Sequence, residues 1–178
     1  FKAYAEKPVE ELAKDAAAMK IAGRLYANNC AACHGADARG AKGFPNLTDD
    51  DWLYGGEPAQ LIETLTNGRN AVVGGLKMPA WGETLGEQGI KEVAAYVLTL
   101  SDRKLSEADA KLAEAGQARF VVCAACHGAE GKGNQALGAP NLTDTIWLYG
   151  GSKATIEETL RKGRNGAMPA WGESLGKE

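Results

Sequence analysis

The chain has 178 residues, of which 44% are hydrophobic and 24% charged, with a formal net charge of −3. That length holds one ordinary domain or two small ones, and this charge balance excludes a basic nucleic-acid-binding surface. No apolar run approaches the roughly 18–20 residues that span a bilayer, and the chain opens on Phe1 without a signal-peptide pattern. It therefore reads as the soluble piece of a longer protein or as a mature, processed one.

Taken in chain order, residues 16–28 (AAAMKIAGRLYAN) predict a helix with Met19, Ala22, Leu25 and Tyr26 near one face, where Met19 reads as a packing residue. Cys30-Ala31-Ala32-Cys33-His34 follows, then a glycine-rich loop and Pro45-Asn46-Leu47-Thr48-Asp49. Asp49, Asp50 and Asp51 read as a solvated loop and helix start. Trp52-Leu53-Tyr54-Gly55-Gly56 leads into a short helix from Pro58 to Thr66, closed by Asn67-Gly68 and running into Arg69. Met78-Pro79-Ala80-Trp81 comes next. Apolar residues at helical spacing, Ile90, Val93, Ala94, Val97 and Leu98, then predict a helix over Gly89 to Leu100.

The series then repeats. A helix from Ala110 to Val121, capped by Ser106 or Asp109, precedes Cys123-Ala124-Ala125-Cys126-His127. Pro140-Asn141-Leu142-Thr143-Asp144, Trp147-Leu148-Tyr149-Gly150-Gly151, a helix from Lys153 to Lys162 capped by Ser152, Gly163-Arg164 and Met168-Pro169-Ala170-Trp171 follow in the same order. Gly23 and Gly116 match across the repeat, and close packing against another helix is the reading for both. Tyr26 and Phe120 are one position out of register.

The two C-x-x-C-H strings use every cysteine and both histidines of the chain. Such a string is the attachment signature of c-type haem: Cys30 and Cys33, and again Cys123 and Cys126, form thioethers, and His34 and His127 become iron ligands. A single four-cysteine zinc site would leave the histidines unexplained, and a thioredoxin-type dithiol needs an α/β pattern that is absent here. With no further histidine, the sixth ligand of each iron must be another residue type. Met78 and Met168 follow the histidines by 44 and 41 residues, one in each half, each presented by a Met-Pro turn of fixed geometry. Trp52, Tyr54, Trp81, Trp147, Tyr149 and Trp171 suit a haem crevice or an ordinary core. Arg69 and Arg164 suit haem propionates, with a solvated arginine as the competing reading.

The repeat divides the chain into a leader at residues 1–15, a first domain at 16–101, a linker at 102–108 and a second domain at 109–178. Residues 1–101 carry 10 Lys/Arg against 13 Asp/Glu, so the first half is the acidic one. Glu178 aligns with Gln88, so the second domain lacks its last helix and its N-terminal helix is expected to be the more exposed of the two. Domains this small have marginal cores, and a haem-free chain is expected to be mostly unfolded.

The spacings resemble class I cytochromes c, which implies an all-α fold of two tandem domains, each with one covalently bound haem. The helix Gly89–Leu100 then looks like the C-terminal helix that crosses the N-terminal one, and the carbonyls of Pro45 and Pro140 would accept the Nδ1–H of the haem histidines. The duplicated Pro-Asn-Leu-Thr-Asp, Trp-Leu-Tyr-Gly-Gly, Gly-Arg and Met-Pro-Ala-Trp series is more specific. With it, the whole chain resembles the dihaem subunit of cbb3-type cytochrome c oxidases.

That resemblance implies a non-catalytic electron relay, receiving electrons from a soluble cytochrome c and passing them to a monohaem cytochrome c subunit and the catalytic subunit. It implies a membrane anchor upstream of this chain and a location at the periplasmic face of the bacterial inner membrane. A stand-alone soluble dihaem carrier shares the same chemistry. A dihaem peroxidase needs a labile sixth position and a distal acid–base group, which the sequence does not supply.

Overall fold

The computed structural model describes residues 4, 6–70, 77–101 and 103–176; the first residues of the expected leader, residue 102 of the expected linker and the chain end at 177–178 lie outside them. The described residues form helices and loops without a strand, joined by isolated antiparallel bridges. A single turn, α1 (Val9–Leu12), precedes α2 (Ala16–Asn29), whose first turn is capped by Asp15 Oδ1 accepting from the amides of Ala17 at 2.9 Å and Ala18 at 3.1 Å. The first haem string forms α3 (Ala31–His34). Pro58 opens α4 (Pro58–Asn67), where Glu57 and Gln60 make a reciprocal capping box.

The long α5 (Gly82–Leu100) begins about two turns earlier than its apolar periodicity predicts and is broken at Gly86, whose φ is 63°. Then come α6 (Glu107–Arg119), capped by Ser106, α7 (Val121–His127), which holds the second haem string, and α8 (Lys153–Lys162), capped by Ser152. Asp49 and Asp50 lie in a bend and open no helix.

The core sits around α5. Ile90, Val93, Ala94, Val97 and Leu98 pack with Phe120, Cys123, Ile156 and Leu160, so one face of α5 is buried against α6, α7 and α8. Full burial of side chains such as Ile90 and Val93 stabilises by about 1.5–3 kcal/mol each. At the crossing, a Cβ on Gly116 would fall 2.0 Å from the Glu92 carbonyl oxygen, so only glycine lets the two backbones approach this closely. The Tyr96 and Phe120 rings meet beside it at 5.2 Å.

This packing corrects the expectation that α5 crosses the first-half helix α2. It crosses α6 instead, because the short connection after Ser101 folds the chain straight back on itself and the glycine and aromatic that accept α5 lie at 116 and 120. The exposure of the two N-terminal helices is therefore the reverse of that expected: α6 buries Ala113 and Gly116, whereas α2 buries no residue. Met19 is 51% exposed, not packed, and a Cβ on Gly23 would meet nothing within 4 Å. The slip between Tyr26 and Phe120 follows from the same difference. Phe120 faces α5, while the Tyr26 hydroxyl donates to the carbonyl of Gly35 at 2.7 Å, inside its own haem loop.

The two halves interlock reciprocally. The Gly43 amide donates to the Leu148 carbonyl at 2.9 Å, and Gln135 Nε2 donates to the Trp52 carbonyl at 2.9 Å. Arg161 closes a bidentate ion pair on Glu87 with both contacts at 2.9 Å.

Candidate haem sites

Each histidine is the last residue of a short helix, buried and oriented by a backbone acceptor. His34 Nδ1 lies 3.0 Å from the Pro45 carbonyl oxygen, and His127 Nδ1 lies 3.0 Å from that of Pro140. A carbonyl accepts only, so Nδ1 carries the proton in both rings and Nε2 keeps its lone pair for a metal. The loops close because the amides of Gly40 and Gly133 donate at 2.8 Å to the carbonyls of His34 and His127. Burial lowers the His127 pKa and so favours the neutral imidazole that a ligand needs, while the bond to Pro140 acts in the opposite direction.

The four sulfurs form no disulfide. Cys123 is buried, Cys30 half-buried, and Cys33 and Cys126 exposed. Burial, and then the neighbouring cysteine, push the Cys30 and Cys123 thiols up, away from the depressed values of a catalytic thiolate. Among the described residues no three His, Cys, Asp or Glu converge as a metal-holding group.

The methionines reach their places by crossing between the halves. The Met78 amide donates to the Arg164 carbonyl at 3.1 Å, and the Arg164 amide donates back to the Met78 carbonyl at 2.9 Å. Met168 and Arg69 make the same exchange at 2.8 and 2.9 Å. The next turn is held the same way: the Trp81 amide bonds the Leu160 carbonyl at 2.8 Å, and the Trp171 amide bonds the Leu65 carbonyl at 2.8 Å. Gly68 and Gly163 are the cradles. A Cβ there would fall 2.4 Å from the Met168 oxygen and 2.5 Å from the Met78 oxygen.

Met78 consequently packs against the cluster that contains Cys123, with Trp81, Leu142 and Trp147 around it. Spacing counted half by half gives no sign of this, because in-register repeats look the same whether their loops stay at home or exchange.

The arginines are half-buried and built alike. Arg69 Nε donates to Thr64 Oγ1 at 2.9 Å, and its guanidinium lies over the Tyr54 ring at 4.6 Å. Arg164 repeats this with Thr159 at 2.9 Å and Tyr149 at 4.6 Å. Arg164 Nη2 is buried without a hydrogen-bond partner, and the Glu158 carboxylate stands 3.8 Å away. A cavity of about 250 Å³ opens there, lined by Lys77, Met78, Lys162 and Arg164 among others. A buried cation of this kind fits an acidic group such as a propionate better than the solvated reading does.

Trp52, Trp147 and Trp171 are half-buried like Trp81. The two threonines escaped the sequence reading, yet a Thr five residues before each Gly-Arg arginine is visible once the halves are aligned. The free sulfurs, the ligand-ready imidazoles and the buried Arg164 cation together fit two covalently attached haems.

Comparison with known proteins agrees. The family described as cytochrome c oxidase, cbb3-type, subunit III matches residues 17–97 and 110–178. The cbb3-type cytochrome c oxidase subunit CcoP of Rubrivivax gelatinosus is 50% identical over 176 residues, covering 98% of this chain and 55% of that protein. Subunit FixP of Azorhizobium caulinodans is 49% identical, over 96% of this chain and 60% of its own length. Subunit CcoP of Azospirillum brasilense is 43% identical, over 97% of this chain and 63% of its own length. The chain thus spans less than two thirds of each of these relatives.

Proposed function

Because the chain belongs to the cbb3-type cytochrome c oxidase subunit III family, two tandem cytochrome c domains in an all-α fold, we propose that it is a two-haem electron relay within such an oxidase. Cys30, Cys33 and His34 hold one haem; Cys123, Cys126 and His127 hold the other. The exchange of the Met-Pro loops supports pairing Met168 with the haem of His34 and Met78 with the haem of His127. A haem c iron with histidine and methionine ligands carries one electron, with every coordination position filled and a potential raised by the methionine.

The chain's own residues set the conditions for that relay. Pro45 and Pro140 fix the histidine tautomer and raise ligand basicity. Arg69 and Arg164, held by Thr64 and Thr159, offer guanidinium groups to propionates. Trp52, Tyr54, Trp81, Trp147, Tyr149 and Trp171 wall the crevices and exclude water. On this reading the chain passes electrons on and catalyses no reaction of its own.

The donor is a soluble cytochrome c, and the acceptors are the monohaem cytochrome c subunit and the catalytic subunit. An anchor in the full-length protein holds this part at the periplasmic face of the inner membrane. No described helix is itself long and apolar enough to cross a membrane.

The observation that carries the reading is the pair of histidine–proline contacts at 3.0 Å, which leave two imidazoles ready as ligands beside two free cysteine pairs. The test is the near-red charge-transfer absorption of the oxidised protein, quantified per haem. Two methionine–iron equivalents support two closed relay sites. One equivalent, or rapid stoichiometric carbon monoxide binding to the ferrous protein, favours the peroxidase reading.

A further inference from the structure

The Trp-Leu-Tyr-Gly-Gly loop occurs twice, and among the described residues only the second copy carries an arginine over its tryptophan. Arg103 reaches from the connection between α5 and α6 onto the second copy. Its guanidinium carbon lies 5.5 Å from the centre of the Trp147 ring, and Nη1 donates to the Gly151 carbonyl. The fit depends on Gly151, where a Cβ would fall 2.6 Å from Nη2 of Arg103. At the first copy, a Cβ on Gly56 would meet only the Trp52 indole, and among the described residues no Lys or Arg lies over that ring.

One acidic residue beside the two loops is matched: Asp49 accepts from the Asp51 amide at 3.1 Å, and Asp144 accepts from the Ile146 amide at 2.9 Å. Asp50 and Asp51 stand where the second copy has Thr145 and Ile146. The tyrosine-stacked arginines are matched. Arg103 is the cation that breaks the likeness. It is half-buried, and Trp147 beneath it packs against the cluster containing Cys123, with Met78 and Leu142.

We propose that Arg103 sets the two haem sites apart: its fixed cation raises the reduction potential of the site held by Cys123, Cys126 and His127, so that the electron rests on that side of the relay. This rests on the two-haem reading above. The physics is a standing charge, with no bond made or broken and no proton moved. Taking up one electron makes a site more negative by one unit, and a cation held in a partly desolvated position favours the more negative state. An arginine keeps that charge at any working pH, and stacking on an indole fixes its position.

The test is potentiometric titration of the haem-loaded chain, with each haem assigned by nuclear Overhauser contacts to its own cysteine pair. Arg103→Gln should lower the midpoint of the His127 haem, leave that of the His34 haem in place and narrow the gap between them. Arg103→Lys keeps the charge and should restore most of the gap. An unmoved His127 midpoint, or an equal fall in both, overturns the proposal. Loss of the near-red methionine absorption in Arg103→Gln that Arg103→Lys does not repair also overturns it, since Arg103 would then be a structural clamp only. Failure of the two-haem reading looks different: the unaltered protein would lack a second methionine-ligated haem.

Discussion

Met78 and Arg164 hold each other through two backbone hydrogen bonds, at 3.1 and 2.9 Å, although they lie in different halves of the chain. The mirror pair, Arg69 and Met168, does the same. Neither half is therefore complete alone, and a loop carrying one half's methionine is seated on the other half's Gly-Arg. Exchange of this kind makes the two sites one cooperative unit instead of two beads on a linker.

On the proposed pairing, each methionine serves the haem attached to the other half. In a protein that keeps only the second attachment string (Cys30→Ser with Cys33→Ser), Met78→Ala should abolish the near-red absorption of the remaining haem. Met168→Ala should leave it. The opposite pattern would mean that ligation stays within each half and that the backbone exchange only positions the loops.

Gly116 and Gly23 occupy the same place in the repeat but not in the packing. A methyl on Gly116 has no room against the Glu92 carbonyl, so Gly116→Ala must push α5 and α6 apart and should cost about 1–3 kcal/mol. Gly23 is exposed in α2 with open space around it, so Gly23→Ala should stabilise this 178-residue chain by up to about 1 kcal/mol through helix propensity. Chemical denaturation of the haem-loaded variants reads both. Equal effects would mean that the two helices are packed alike.

Much of this was legible in the sequence, for a physical reason. The haem strings, the Met-Pro turns and the cap at Ser152 each depend on neighbours a few residues away, and local chemistry leaves local signatures. The histidine–proline contacts were also foreseen, through the resemblance to class I cytochromes c. The partner of α5 and the crossing of the methionine loops were not. Both are choices between near-identical surfaces in a duplicated chain, and they are settled by chain connectivity and by small differences such as Phe120 against Ala27, which no period or spacing records.

Glu92 supplies an acid-sensitive tie at the α5–α6 crossing. Its side chain is only 10% exposed, and its carboxylate accepts from Gln88 Nε2 at 2.9 Å and from Arg119 Nε at 2.5 Å. Those bonds, Gln88 first and then Arg119, hold its pKa below the ordinary carboxylate range against the opposing effect of burial. A folded-state value below the unfolded one of about 4.3 means that this stabilisation is fully present above that pH and is lost as the pH falls through the depressed value. Glu92→Gln should flatten the acid limb of the stability–pH curve. An unchanged limb would show that other carboxylates govern acid unfolding.

Removal of haem should not act evenly along the chain. The buried apolar side chains all lie between Ile90 and Leu160, and the described residues before Ile90 contribute none. Helices α2 and α4 therefore have little apolar burial of their own and depend on the haem of His34 for an apolar surface to pack on. The α5–α6 pair keeps Ile90, Val93 and Phe120, though replacing the buried Cys123 sets a hydroxyl among them. With all four cysteines changed to serine, far-ultraviolet circular dichroism should lose most of its helical signal. Hydrogen exchange should show α2 and α4 unprotected, with residual protection confined to α5 and α6. Native helicity in that variant, or protection of α2 and α4 equal to that of α5 and α6, would mean that the polypeptide packs without its prosthetic groups.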